Sequence, residues 1–191
     1  MNTQVSVGKK IRSLRESKEM DIEVLAERAQ LPVGQIMAIE NDGPLPGLAP
    51  LIKIARVLGV RLGTFLDDQQ GVGAVVSRHE EERESVRFSN HGSEGHENMI
   101  YRSLSEGKEN RHLEPFVIDI LPAQNAEFAS SSHEGEEFIY VLEGLVEVVY
   151  GKNTYLLEKG DSIYYDSIVR HHVHGYDGQQ ARILAVVYTP I

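Results

Sequence analysis

The 191-residue chain contains no cysteine. Disulfides, cysteine-ligated zinc and thiol catalysis are therefore excluded, and any bound metal must be held by His, Asp or Glu. No apolar run approaches the ~20 residues that span a bilayer, and the N-terminus lacks an apolar signal core, so a cytoplasmic protein without a membrane partner is expected. What is present is 41% hydrophobic residues, enough to bury real cores.

A net positive charge is also absent, and the deficit is uneven. Residues 1–70 carry nine basic and nine acidic side chains, so the remainder holds the whole net charge of −10. A polyanion would be repelled by the C-terminal part and can dock only through the N-terminal part. The chain therefore reads as two domains with different tasks, residues 1–67 and 99–191, joined by a connector over 68–98.

The N-terminal part has helical periodicity. In "VGKKIRSLRESKEM" residues Val7, Ile11 and Leu14 share one face and basic residues cluster on the other. Asp21 is placed to cap "DIEVLAERAQ", Pro32 to start "VGQIMAIE", and "LAPLIKIARVLGV" and "LGTFLDD" complete five short helices. The order of "GKKIRSLRE", "LAERAQL", "AIEN" and "LIKIARVLGV" resembles the Xre-type, lambda-repressor-like helix-turn-helix family. The resemblance implies a recognition helix beginning near Pro32, with Val33, Gly34, Gln35, Met37 and Ala38 facing bases and Lys9, Lys10, Arg12 and Arg15 contacting phosphates. Gln35 is the one clear hydrogen-bonding reader. Base readout is thin, because apolar Met37 and Ala38 stand where a long polar residue is usual. A helix-turn-helix kept for dimerisation or for gating a substrate is the alternative.

Past residue 99 short apolar runs alternate with Gly, Asp, Asn and Pro: "MIYRSL", "PFVIDIL", "EFIYVLEG", "LVEVVYG", "NTYLLEKG", "DSIYYDS", "HHVHGY" and "ARILAVVYTPI". This pattern predicts an antiparallel sandwich or barrel. The same stretch resembles the cupin family, which implies an all-β jelly-roll barrel and a metal site. Glu137, seven positions before Gly144, matches the family's carboxylate; His133 matches the second histidine of its HxH pair, whose first is replaced by Ser131; and His171 matches the histidine of the second motif. Two imidazoles and one carboxylate make a facial triad suited to Fe(II) and open to Zn, Mn, Ni or Co. Without a metal, His133 and His171 would line a polar pocket. Tyr101 and Ser131 are the candidate ligand contacts. His172 and His174 read as surface or dimer-edge residues, His112 as an exposed loop residue, and His79, His91 and His96 as surface residues of the connector.

A helix-turn-helix domain joined to a cupin resembles the Xre-cupin regulators. That implies a homodimer or higher homo-oligomer that binds operator DNA and takes a small-molecule effector in the barrel. The architecture and the His-Glu-His triad also resemble the hydroxypropylphosphonate epoxidases, mononuclear iron enzymes. There the resemblance aligns Tyr101 with a substrate-contacting tyrosine, but puts Glu19 and a position near Ser93 where a lysine and an arginine hold the phosphonate. The expected function is thus a regulator, with a mononuclear iron enzyme that retains its helix-turn-helix domain as the alternative.

Overall fold

The computed structural model describes residues 6–45, 47–67, 73–78, 86–88, 99–108, 111–122 and 130–190. Five helices come first: α1 (Val7–Ser17), α2 (Ile22–Ala29), α3 (Val33–Glu40), α4 (Leu48–Leu58) and α5 (Gly63–Leu66). Ser6 caps α1, its hydroxyl accepting from the Lys9 amide at 3.3 Å. Asp21 precedes α2 in extended conformation, as a cap should, but makes no side-chain cap bond. Gly59 ends α4 in the left-handed region that lets a helix close on its own carbonyls. The apolar faces converge on Ile11, Leu25, Ile36, Leu51, Ile54 and Phe65, all fully buried. Gly8 sets the distance between α1 and α3: a Cβ there would lie 2.0 Å from the Ile39 carbonyl oxygen.

Nine strands follow among the described residues: β1 (Val86–Phe88), β2 (Met99–Ser103), β3 (Leu113–Ile120), β4 (Glu136–Glu143), β5 (Val146–Tyr150), β6 (Asn153–Leu157), β7 (Ser162–Asp166), β8 (His171–Gly175) and β9 (Ala181–Tyr188). They form a six-stranded sheet in the order β1-β2-β3-β9-β4-β7 and a three-stranded sheet in the order β6-β5-β8, with antiparallel pairing throughout. Strict alternation along β9 buries Ala181, Ile183, Ala185 and Val187 and leaves the residues between them half-exposed, as one core-facing side demands. Eight strands coincide with the eight apolar runs of the sequence. β1 does not: Val86 pairs with Tyr101, so the region read as a connector already contributes an edge strand. Within that region His79, His91 and His96 lie outside the described residues.

A buried charge cluster joins helices to barrel. Arg111, at the entry to β3, bonds Glu114 at 2.7 Å and also the Asp67 carboxylate just after α5, while Arg61 donates to the Arg111 carbonyl at 2.7 Å. On α4, Arg56 pairs with Glu134. No helix among the described residues is long and apolar enough to cross a membrane.

Candidate metal centre and the cavity above it

His133, Glu137 and His171 come from three places. Glu137 sits on β4 in the large sheet, His171 on β8 in the small one, and His133 in the loop entering β4. A backbone bridge holds that loop to the small sheet, Ser131 and His171 exchanging N–H···O bonds of 2.9 Å, and the His133 amide donates to the Ser167 carbonyl at 3.0 Å. Gly135 then turns the chain with φ at +107°; a Cβ there would fall 1.9 Å from the Tyr188 carbonyl oxygen, so the turn needs glycine for both space and conformation. The result is three ligand atoms all within 4.8 Å of one another.

The local hydrogen bonds fix what each ligand presents. His133 Nδ1 lies 3.0 Å from the Glu134 carbonyl and His171 Nδ1 2.8 Å from the Val169 carbonyl. A carbonyl only accepts, so both Nδ1 atoms carry hydrogen and both Nε2 atoms of the neutral rings point lone pairs at the centre. Glu137 Oε1 is 2.7 Å from His133 Nε2 and 3.4 Å from His171 Nε2. Lone pairs this close to a carboxylate oxygen require a cation or a shared proton between them. Tyr165 donates to the other oxygen, Oε2, at 2.7 Å, leaving Oε1 for the centre.

Where a shared proton rather than a cation sits between histidine and carboxylate, Nε2 becomes a donor. Burial alone would raise the Glu137 carboxyl, but hydrogen bonds from Nε2–H of the histidines hold it well below the usual range. Burial alone would lower His171, but Glu137 raises it. Tyr165, buried beside the carboxylate, is pushed far up and stays a neutral donor. Two preset imidazoles, one oriented carboxylate and no thiol are a donor set that fits a divalent transition metal.

Above the triad lies a cavity of about 370 Å³. Its depth is apolar, with Ile118, Ile139, Ile183 and Val187, and Tyr101 and Ser131 are also in its lining. Its mouth is not built by the barrel alone. Gln35 of α3 and Pro50 and Lys53 of α4 line the cavity together with Arg170, which lies between β7 and β8. Neither Tyr165, nor Lys53, nor Arg170 was singled out from the sequence. Tyr165 had a signal in the alternation of "DSIYYDS", whereas the two cations depend on how the domains meet.

The first helix needs a correction. Arg15 is buried against Glu40 in a two-pronged pair of 2.7 and 2.9 Å and also donates to the Met20 carbonyl, and Lys10 donates to the carbonyls of Phe65 and Asp67 at 3.1 and 2.8 Å. Both cations tie helices together, a role their position on a polar helical face did not reveal. Lys9 and Arg12 stay at the surface, Lys9 3.6 Å from Asp42 and Arg12 donating to Glu16 at 2.9 Å one helical turn on. On α3, Gly34, Met37 and Ala38 are exposed, while Val33 and Gln35 are half-buried. His112 is exposed, as read. His174, read as a surface or dimer-edge residue, is instead buried within its own chain; its Nε2 lies 3.2 Å from Glu147 and its ring stacks on His172 at 5.0 Å.

Residues 11–65 match the HTH_3 helix-turn-helix family and residues 117–187 the Cupin_2 cupin domain family. The chain is 28% identical to the (S)-2-hydroxypropylphosphonic acid epoxidase of Streptomyces wedmorensis, covering 92% of each chain. It is 22% identical to the HTH-type transcriptional regulator PuuR of Escherichia coli K12, covering 96% of this chain and 94% of that one. An HTH_3 family transcriptional regulator from Vibrio cholerae shares the fold with a TM-score of 0.67 at 20% identity, over 97% and 96% of the two chains. The Fe(II) form of HppE, crystallised with the alternative substrate (S)-1-HPP, superposes with a TM-score of 0.52 at 25% identity, over 95% and 96%.

Proposed function

We propose that this chain, an HTH_3 helix-turn-helix domain joined to a Cupin_2 cupin domain, is a DNA-binding regulator whose barrel takes a small-molecule effector over a metal held by His133, Glu137 and His171. It acts as a homodimer or higher homo-oligomer on operator DNA. The observation that carries the reading is a cavity with an apolar depth, the triad at its floor and a mouth built partly from the helical domain. Lys53 of α4 and Arg170 of the barrel line that cavity and make no ion pair among the described residues, while the chain beyond residue 70 carries the net charge of −10. The effector that fits is an amphiphilic organic anion: its acidic end meets these cations, its apolar body the isoleucines. Such a ligand touches both domains and so can favour one arrangement of them, which is the requirement for coupling effector to operator.

The phosphate contacts follow from the cations that α1 leaves exposed. Removing Lys9 or Arg12 should weaken binding to all sequences and reduce the slope of log affinity against log salt by about 1 each. Gln35→Ala should instead relax base preference, at about 1–3 kcal/mol for its base pair. Duplexes selected from a random pool by the full-length protein, titrated at several salt concentrations, test this. Salt-independent binding, or no selected duplex at all, would overturn the regulator.

The 28% identity with the epoxidase over nearly the whole chain favours one second reading, an iron enzyme that retains its helical domain. The triad would hold Fe(II), which supplies oxygen activation when bound. This chain has Glu19 where the resemblance to the epoxidases implies a lysine, and that charge repels a phosphonate. Fe(II)-loaded protein should therefore consume no oxygen with (S)-2-hydroxypropylphosphonate or simple hydroxy acids. Sustained turnover that disappears in Glu137→Ala would make the enzyme the better description.

A further inference from the structure

Gln35 belongs to two surfaces at once. It is the hydrogen-bonding residue of the α3 face proposed to read bases, and it lines the barrel cavity of its own chain. The face of α4 next to it is turned to the barrel as well: Pro50, Lys53 and Arg56 recur every three residues, the first two lining the cavity and the third paired with Glu134. The Glu134 carbonyl in turn accepts from His133 Nδ1. Helical domain, cavity mouth and triad are thus one connected set of contacts.

We infer that the Gln35 face of α3 is an interaction surface with two exclusive occupants, operator DNA and the ligand-filled barrel of the same chain. Two physical arguments carry this, and both rest on the regulator reading above. The first is space. A recognition helix enters a major groove about 12 Å wide, walled on both sides by sugar-phosphate backbone. With Gln35 at the cavity rim, the barrel occupies one of the positions a backbone must take. The second is charge. The helical part is neutral while the rest of the chain carries −10, so a barrel held beside α3 repels phosphates where Lys9 and Arg12 must attract them.

A ligand bridging Lys53 and Arg170 to the triad stabilises this closed form. Release of the ligand frees α3, and the protein is then competent for DNA. The barrel is in this sense the competitor of the operator, and Gln35 the residue both require.

The lack of cysteine gives a direct test on the full-length protein. Pro50→Cys and Ser130→Cys place thiols on the two sides of the mouth without touching Gln35, Lys53, Arg170 or the triad. A short bis-maleimide with an internal disulfide should join them within one chain, which gel mobility separates from links between chains. The joined protein should lose at least ~1000-fold in affinity for the selected duplexes, falling to its non-specific level, and reductant should restore binding. Joined protein that binds as well as the cleaved form would overturn the inference while leaving the regulator standing. So would a pair that forms no link within the chain, since α4 would then not sit at the mouth. Unaltered full-length protein that selects no duplex would remove the regulator and the inference together. Each single-cysteine variant treated with the same reagent should bind DNA as the untreated protein does; loss of binding there would assign the effect to the thiol adduct and overturn the inference.

Discussion

Glu137→Ala protein, purified beside the unaltered chain and given the same Fe(II), Zn, Mn, Ni or Co, should retain no stoichiometric metal. Outer-sphere partners of a metal site are worth about 10–100-fold in affinity. Losing one of only three protein ligands should exceed that, and losing this one removes the negative charge that balances the cation. Tyr165→Phe gives the graded comparison: it leaves all three ligands but releases Glu137 Oε2, 2.7 Å away, so it should weaken binding within the outer-sphere range. Elemental analysis after dialysis reads the first result, and competition with a chelating indicator reads the second. Metal at 100 times its dissociation constant should also raise the unfolding free energy of the unaltered chain by about 2.7 kcal/mol. The same metal should leave Glu137→Ala unmoved. A wild type that takes up no metal under saturating conditions would reduce His133 and His171 to the lining of a polar pocket.

Arg111→Ala should be the most destabilising single substitution at the junction of the domains. It strands buried Glu114 and half-buried Asp67 without their shared cation, and breaking a buried pair in this way costs about 3–5 kcal/mol. Chemical denaturation of the full chain measures the loss, and Glu114→Gln in the same protein should recover part of it by removing one stranded charge. The unaltered cluster has its own pH signature. Burial pushes the Glu114 carboxyl up to about 6 even though Arg111 opposes the shift. A carboxyl that binds its proton more tightly folded than unfolded stabilises the fold as that proton is taken up. Its contribution should therefore grow as the pH falls from about 7 through 6 toward the unfolded value, about 2 kcal/mol for a shift of this size. Glu114→Gln should flatten the stability profile in that window. A profile identical in both proteins would show that Glu114 does not titrate there.

How far the sequence could be read depended on how local the determining physics was. The triad was legible because His133, Glu137 and Gly144 are spaced along one turn and one strand, and His171 lies in a second short motif. The eight apolar runs were legible because a half-buried strand must alternate. β1 was not, since three residues beside a charge run carry no period of their own. Nor were the tasks of Lys10 and Arg15. A cation on a polar helical face looks the same whether it meets solvent, a phosphate or, as Arg15 does, a glutamate 25 positions away. Lys53 and Arg170 became candidates only when folding brought α4 to the barrel mouth.

Gly135 makes part of the metal site a matter of spelling that no ligand list records. In "HEGEE" it looks like filler between two ligands, yet in this chain its left-handed backbone and the nearby Tyr188 carbonyl leave no room for a side chain. A single added methyl group, Gly135→Ala, should therefore disturb the turn that brings His133 to Glu137 and weaken the centre although every ligand is still written in the sequence.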